Sequence, residues 1–460
     1  MPNNNPVKNN DFSRELSDRH IQLIAIGGAI GVGLFLGSAK AIQTAGPALV
    51  LAYALGGLVI FFVMRALGEL ALYRPVVGSF SAYANEFIGP WAGFITGWTY
   101  WFMWVVTGMA EITAVGVYAQ YWFPGIPQWI PALIALLFVY LINLIAVKLF
   151  GEFEFWFALI KVVTIILLIV VGLVIITTGF GNNGQPIGFS NLWEHNGFMP
   201  NGVLGVLLSL QMVMFAFLGV ELVGVTAGEA KDPEKTMPSA INKILWRILI
   251  FYIGALLVIM SLYPWIELDG KTSPFVLTFQ HIGIPAAAGI INFVVLTAAL
   301  SSCNSGIFST GRMLYTLANS RQAPRMLGAV SKRKVPARGI TLSAIALLFG
   351  VVLNYIMPEK AFIYITSVAT SGALWIWGII LFSHIKYRQA VKQHKVRESS
   401  FKMPGAPWTN WIALFFLGFV AVLLGFNEET RVALYVAPIW FLILVISYQF
   451  VRRRQESKDI

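Results

Sequence analysis

The chain has 460 residues, of which 57% are hydrophobic and 12% are charged, and its formal net charge is +11 at pH 7. Soluble globular proteins carry about 25% charged residues, so this composition excludes a mainly soluble protein and favours helices that face lipid. The basic residues follow the loops between apolar runs, which excludes nucleic acid as the reason for the net charge. The single cysteine, Cys303, excludes an internal disulfide.

Apolar runs of about 20 residues recur along the chain, and each is long enough to form a transmembrane helix. They do not alternate between polar and apolar residues, so they predict helices and not a β-barrel. The predicted fold class is an all-α integral membrane protein with twelve transmembrane helices. The predicted spans are residues 21–44, 47–66, 92–120, 129–149, 155–178, 203–226, 245–265, 284–310, 339–357, 361–385, 409–427 and 432–451.

The distribution of Lys and Arg predicts the orientation of these spans. With the N-terminus inside the cell, 27 of the 32 basic residues lie in inner segments, four lie in outer loops and Lys161 lies within a span. The positive-inside rule therefore places both termini in the cytoplasm. The predicted organisation is a cytoplasmic tail over residues 1–20, a twelve-helix domain over 21–451 and a second cytoplasmic tail over 452–460. The basic residues of the second tail are expected to contact anionic lipid headgroups.

The first and sixth predicted spans look interrupted. Residues 27–37 contain five glycines, and each glycine weakens a helix by about 1 kcal/mol relative to alanine. The sixth span carries Gly219 and Gly224 on either side of Glu221. Transporters use such interruptions to expose backbone groups that bind a polar solute within the membrane.

Close helix packing is the alternative interpretation of these glycines, because the first span contains two GxxxG pairs. The positions of the two spans favour interruption, since each opens a set of five helices. Breaks at matching positions of two repeats indicate a central binding site, and an odd number of helices makes the second repeat inverted. The predicted repeats cover residues 21–178 and 203–385, and two trailing helices follow over 409–451.

Unwound helices at these two places would bind both ends of an α-amino acid. Free N–H groups around Gly31 and Gly33 would bind a carboxylate, assisted by the positive end of a half-helix dipole. Freed carbonyls of Phe215, Ala216 and Leu218 would accept hydrogen bonds from an ammonium group. The pattern therefore predicts a site for a zwitterion.

Three ionisable residues, Glu111, Lys161 and Glu221, lie within predicted spans away from their ends. Each costs at least ~2.5 kcal/mol at the membrane centre, so each requires a reason. Structural hydrogen bonds explain any of them, and snorkelling to the inner surface also explains Lys161. The functional hypothesis is that Lys161 releases and regains a proton during transport, its cation replacing a bound metal ion that stabilises one conformation. Glu221 would orient or gate the site, and Glu111 would shape side-chain selection.

Several segments together carry a family resemblance. They are residues 19–28, 30–35, 151–157, 226–233, 304–306 and 311–314. Over essentially its full length the chain resembles bacterial amino-acid permeases of the amino acid–polyamine–organocation superfamily. The resemblance implies a fold of the leucine-transporter type, with a five-plus-five inverted repeat and two trailing helices.

The resemblance also implies a set of functional residues. The substrate-binding residues would be Ile30, Gly31, Val32, Gly33, Trp104, Gly108, Glu111, Phe215, Ala216, Leu218 and Glu221. Phe215 would act as a gate, and Lys161 would be the proton-responsive lysine. Val32 departs from the family pattern, because relatives often carry Ser or Thr there, so the backbone alone would bind the substrate carboxylate.

The function implied by the resemblance is secondary active transport. The chain would be a proton-coupled symporter that imports alanine, serine, glycine, threonine or their D-forms across the bacterial plasma membrane by alternating access. Its partners would be the amino acid, protons and membrane lipid, without a cofactor, a metal ion or catalytic residues. A proline carrier or another permease of the family is one alternative, and a channel or a non-transporting sensor is another. The chain lacks H-E-x-x-H, G-x-S-x-G and dinucleotide-binding motifs, so an enzyme is disfavoured.

Overall fold

A computed structural model describes most of the chain as helices. The described residues are 30–76, 78–145, 147–180, 184–226, 232–268, 270, 272–281 and 285–456, and these ranges contain no strand. Three predicted features lie outside the described residues, namely the first nine residues of the first span, the motif at 19–28 and most of the motif at 226–233.

Eighteen α-helices occur in the described part of the chain. They are α1 (Val32–Phe35), α2 (Gly37–Ala45), α3 (Leu49–Tyr73), α4 (Ser79–Phe87), α5 (Pro90–Ala119), α6 (Trp129–Ile145), α7 (Val147–Thr178), α8 (Gly202–Ala216), α9 (Leu222–Thr226), α10 (Pro233–Asn242), α11 (Ile244–Arg247), α12 (Ala255–Leu262), α13 (Pro274–His281), α14 (Pro285–Asn319), α15 (Ala337–Ile356), α16 (Pro358–Lys392), α17 (Trp408–Leu423) and α18 (Val432–Glu456). A π-helical segment, Ile248–Gly254, joins α11 to α12.

The helices confirm the prediction of an all-helical membrane protein. By length and composition, eight helical segments of the described chain are able to cross a membrane. Three shorter apolar helices, α6, α8 and α17, accompany them. Two helices were not predicted as spans or as helices. These are α4 and α13, which lie between predicted spans and, with nine and eight residues, are too short to span a bilayer.

The turn between the first two predicted spans occurs at Gly46. Its φ of +62° lies in the left-handed region, where glycine has no Cβ to clash. Pro47 follows, and the short 3₁₀ segment Gly46–Ala48 separates α2 from α3. The break between these spans therefore falls where the sequence analysis placed it, between residues 44 and 47.

Helix α5 lies at the centre of the bundle. It packs along α14 and also contacts α16, α15 and α6. In the most apolar part of α5, 83% of the residues are buried within the protein, whereas only 6% are buried in α18. A helix as apolar and as exposed as α18 is solvated by lipid, so α5 belongs to the core and α18 to the periphery.

A buried carboxylate joins three parts of the bundle at the end where α3 finishes. Glu69 of α3 is fully buried and lies 2.8 Å from His384 Nε2. Arg388 of α16 donates to Glu69 at 3.0 Å, and the Met403 N–H donates at 2.6 Å. These bonds connect α3, α16 and the segment before α17. A buried charge requires such partners, because an unpaired buried charge strongly destabilises the folded protein.

The substitution Arg388→Met is expected to destabilise the protein by about 3 kcal/mol, because it leaves the Glu69 carboxylate buried without its guanidinium partner. Arg74→Met is the matched control, since Arg74 and Glu86 form an ion pair whose side chains are 48% and 23% exposed. Such exposed pairs contribute about 0–1 kcal/mol. The measurement is the free energy of unfolding of each purified variant in detergent. Equal losses of unfolding free energy in the two variants would contradict the role of Arg388 as the partner of the buried Glu69 carboxylate.

Candidate functional site at the two interrupted helices

The chain enters its first described helix through extended backbone. Gly31 has φ −121° and ψ −161°, and α1 starts at Val32. The Gly31 carbonyl accepts hydrogen bonds from the N–H groups of Leu34 and Phe35, at 3.2 and 3.4 Å. The N–H groups of the first helical residues, Val32 and Gly33, precede the intrahelical ladder and point out of the helix start. The predicted break is therefore present on its C-terminal side, and its N-terminal side lies outside the described residues.

The sixth predicted span is interrupted over residues 217–221. Helix α8 ends at Ala216 and α9 begins at Leu222. Gly219 has a φ of +97° in this segment, which favours glycine. Its N–H donates to Glu221 Oε2 at 3.1 Å, so the carboxylate binds the unwound backbone directly. The glycines and the mid-span glutamate predicted this interruption, and the structure confirms it.

The two interruptions are in contact. A Cβ atom added to Gly33 would lie 2.5 Å from Ala216 Cα, so α1 meets the end of α8 at a distance that leaves no room for a side chain. A Cβ added to Gly31 would lie 2.9 Å from Glu111 Oε1 and 3.2 Å from Ser302 Oγ. The start of α1 is thus enclosed by α8, by α5 and by α14.

Lys161 binds the start of α1 from the side. Its Nζ donates to the Ile30 carbonyl at 3.2 Å and to Ser301 Oγ at 3.0 Å. Ser301 in turn donates to Glu154 Oε1 at 2.8 Å. Both Lys161 and Glu154 are completely buried. Because the ammonium group points into the bundle, snorkelling does not explain this lysine.

Sequence reasoning missed Glu154 as a functional residue. The predicted fifth span began at residue 155, one residue after Glu154, whereas α7 begins at Val147. The available signal was spacing: Glu154 and Lys161 are seven residues apart, which puts them on one face of a helix two turns apart. Ser301 was also missed, because a serine within an apolar helix is a weak signal by itself.

Aromatic side chains surround the second interruption. The buried Glu221 carboxylate lies beside the indoles of Trp104 and Trp377. Phe215, the predicted gate, is also buried and packs edge-to-face on Phe362 of α16, with ring centroids 6.3 Å apart. This ring pair covers the α8 side of the interruption.

Two of the three predicted amine-binding carbonyls already have partners within the protein. The Ala216 carbonyl accepts a hydrogen bond from the Tyr252 hydroxyl at 3.0 Å. The Phe215 carbonyl accepts one from the Leu218 N–H at 3.0 Å. Each carbonyl oxygen has two lone pairs, so both can accept a second hydrogen bond.

The three predicted residues of α5 face different neighbours. Glu111 borders Gly31, and Trp104 borders Glu221. Gly108 differs, because the atoms nearest to an added Cβ belong to Leu347 of α15 and to Cys303. Glu111 and Trp104 therefore lie at the interruptions. Gly108 instead lies where α5 packs on α15 and α14.

A family model described as amino acid permease matches residues 20–460. The chain belongs to the amino acid permease family. It is therefore a multi-pass membrane protein of a family of transporters and not an enzyme, as the sequence resemblance indicated.

Several curated bacterial proteins are similar over nearly their whole length. "Uncharacterized amino acid permease YtnA" of Bacillus subtilis (strain 168) is 59% identical over 438 residues, which cover 95% of each chain. "Probable threonine/serine transporter YbxG" of the same organism is 54% identical over 442 residues, or 96% of each chain. The "D-serine/D-alanine/glycine transporter" of Escherichia coli (strain K12) is 49% identical over 448 residues, which cover 97% of this chain and 95% of the relative.

Replacing Gly33 by alanine is expected to destabilise this permease by about 1–3 kcal/mol, because the new methyl group overlaps Ala216 backbone and forces the two helices apart. Gly418→Ala is the control, since Gly418 lies in α17 with no atom within 4 Å of an added Cβ. The midpoint of thermal unfolding in detergent measures both variants. If Gly33→Ala unfolds at the midpoint of the control, the close contact between α1 and α8 is wrong.

Proposed function

We propose that this permease is a proton-coupled symporter that imports small neutral amino acids by alternating access. The observation that carries the proposal is the contact of Gly33 with Ala216, which joins the start of α1 to the end of α8. Both helices have backbone groups outside the regular ladder at this point, and the buried Lys161 binds the chain next to it.

The backbone supplies the chemistry for a zwitterion. The N–H groups of Val32 and Gly33 open a helix and favour a carboxylate. The carbonyls of Phe215, Ala216 and Leu218 lie at or just after the end of α8 and favour an ammonium group. Val32 has no hydroxyl, so carboxylate binding depends on the backbone in this chain.

The surroundings of the site favour a short side chain. The Ser302 hydroxyl and the Glu111 carboxylate lie next to Gly31, and the rings of Trp104 and Phe215 are buried close by. The first two groups are able to bond a small hydroxyl such as that of serine or threonine. The relatives named as transporters of D-serine, D-alanine and glycine, or of threonine and serine, support the same class of substrate. Proline, or another amino acid of the family, is the alternative substrate.

Lys161 is the proposed proton carrier. In its protonated form it donates to the Ile30 carbonyl and to Ser301, so it joins the start of α1 to α7 and α14. Loss of the proton removes its charge and its attraction to Glu154, and the start of α1 is then held less firmly. This difference couples the protonation of Lys161 to the movement of α1, as alternating access requires.

The proposed architecture is twelve spans with two inverted repeats, over residues 21–178 and 203–385, and two trailing helices. The turn at Gly46 divides the segment Gly37–Tyr73 into two spans, which supports that number. In the structure α1 contacts α8, and α5 packs along α14. These pairs are the first helix with the sixth and the third with the eighth, so equivalent helices of the two repeats meet. The distribution of basic residues supports cytoplasmic termini, and the proposed location is the bacterial plasma membrane.

Transport by the purified permease in proteoliposomes tests the substrate class. With an inward proton gradient, we expect accumulation of labelled alanine, serine, glycine or threonine, in the L- or D-form, and no accumulation of large amino acids. Preloaded unlabelled substrate is expected to accelerate entry of the label, which a channel would not do. Absence of uptake and exchange for every amino acid would favour a sensor, and a preference for proline would favour the alternative substrate.

The variant Lys161→Gln tests proton coupling. Glutamine keeps a hydrogen-bond donor near the Ile30 carbonyl but cannot carry the proton, so we expect substrate exchange to remain while accumulation falls to equal concentrations on the two sides. Lys243→Gln is the control, because this exposed lysine lies between α10 and α11. Accumulation by Lys161→Gln against a substrate gradient, driven by protons, would refute the role of Lys161.

A further inference from the structure

A second candidate binding site lies at the end of the bundle where α5 begins and α18 finishes. It is a groove of about 780 Å³, a volume within the range of about 300–1,000 Å³ that is typical of small-molecule sites. Its walls come from α5, from the segment after α14 and from α18. The lining residues are Phe94, Trp98, Trp101, Arg321, Gln322, Ala323, Pro324, Arg325, Met326, Trp440, Ile443, Leu444, Ser447, Val451, Arg454 and Gln455. None of them belongs to the substrate site.

The apolar part of the groove is rigidly built. Trp98 donates its indole N–H to the Gln322 carbonyl at 3.2 Å, and Trp101 donates to Ser343 Oγ at 2.9 Å. The two rings meet edge-to-face, with centroids 5.7 Å apart. Trp440 completes this wall from α18 and donates to Thr99 at 3.3 Å. Because the N–H groups bond within the protein, the rings present apolar surface to the groove, although one face of Trp440 is covered by Phe102, which stacks on it with ring centroids 4.4 Å apart.

The other part of the groove is cationic. Arg321 and Arg325 lie in the segment after α14 and are exposed, and Arg454 lies in the last turn of α18. Among the described residues that line the groove, none has an acidic side chain. Gln455 donates to the Arg321 carbonyl at 3.2 Å, which fixes the end of α18 against this segment. The groove thus combines an aromatic wall with a rim that favours an anion.

The position of the groove identifies the kind of ligand. Tryptophan is enriched where a membrane protein crosses from hydrocarbon to headgroups, and arginine serves as an anchor at the same interface. One wall is α18, whose exposed apolar side chains include Ile443 at 49% and Ile446 at 50% exposure, so lipid reaches the groove along this helix. The ligand that fits has acyl chains for the aromatic wall and a phosphate for the arginines.

We propose that this groove binds one anionic phospholipid, with its phosphate at Arg321 and Arg325 and an acyl chain along Trp98 and Ile443. With both termini in the cytoplasm, this end of the bundle lies at the inner leaflet, and that placement rests on the orientation given under the proposed function. Binding in detergent depends neither on the orientation nor on transport, so failure of this proposal is distinguishable from failure of the proposed function.

Native mass spectrometry of the purified full chain tests the headgroup. Phosphatidylglycerol and phosphatidylcholine with the same acyl chains are titrated separately, and the first is expected to bind about tenfold more tightly. The double variant R321Q/R325Q is expected to lose this preference, a change of about tenfold or ~1.4 kcal/mol. K332Q/R453Q is the matched control, because it removes two exposed positive charges that do not line the groove.

The variant Ser447→Trp tests the apolar part, because a large side chain there fills the groove. We expect this variant to bind both lipids severalfold more weakly. Ile446→Trp adds the same ring to a half-exposed neighbouring position that does not line the groove, and is expected to leave binding unchanged. Thermal unfolding in detergent verifies that each variant is folded.

Four results would overturn the lipid site. The first is equal phosphatidylglycerol binding by R321Q/R325Q and by its control, and the second is equal binding by the two tryptophan variants. The third is displacement of the lipid by glycerol 3-phosphate alone, which would identify a site for free anions. A lipid-free dimer with the groove covered would also overturn the proposal, and the same spectra report the oligomeric state.

Discussion

The contact between the start of α1 and the end of α8 constrains the rest of this permease. Backbone groups outside a helical ladder are costly in hydrocarbon, where water cannot bond them. The two irregular segments are therefore stable only if other helices cover them. Gly33 makes the contact possible because the backbone of Ala216 occupies the place of a side chain. The long, buried helices α5 and α14 then close the remaining sides, so the least regular backbone lies among the most regular helices.

The buried charge next to this contact is likewise stabilised by groups from several helices. The ammonium group of Lys161 has no access to water, and it is compensated by the Ile30 carbonyl, by Ser301 and, through that serine, by Glu154. Lys161 and Glu154 both lie on α7, whereas Ile30 precedes α1 and Ser301 lies on α14. A change in the charge of Lys161 therefore alters the balance among α1, α7 and α14 at once. Such an arrangement is suited to coupling a proton to a movement of helices.

The interruptions, the Glu69 network and the groove lie in different parts of the bundle and differ in how they are stabilised. Glu69 joins helix ends through partners that neutralise it, which stabilises one arrangement of α3 and α16. The groove lies at the border of α18, the most exposed of the eight long helical segments. The interrupted helices at the centre thus coexist with the Glu69 contacts at the end of the bundle and with the exposed helix α18 at its edge.

Much of the fold could be predicted from single segments of the sequence. Apolar run lengths predicted the long helices, and the glycines around Glu221 predicted the break after Ala216. These features depend on local chemistry, namely hydrophobicity and backbone freedom, so they can be recognised without knowing the neighbours. The short helices α4 and α13 were missed because they do not span a bilayer and carry no comparable signal.

The candidate site was predictable only in part. Gly31 and Gly33 were recognised as exceptional residues, as was the buried charge of Lys161. Their partners were not, since Ser301 and Glu154 become informative only when α7 and α14 bring them to Lys161. The same reason explains Gly108, which lies in the expected helix but packs on Leu347. The sequence by itself determined the long helices, the two breaks and the burial of Glu111, Lys161 and Glu221. Only the tertiary structure decided which groups meet, because the rotation of each helix depends on contacts with residues far away in the chain.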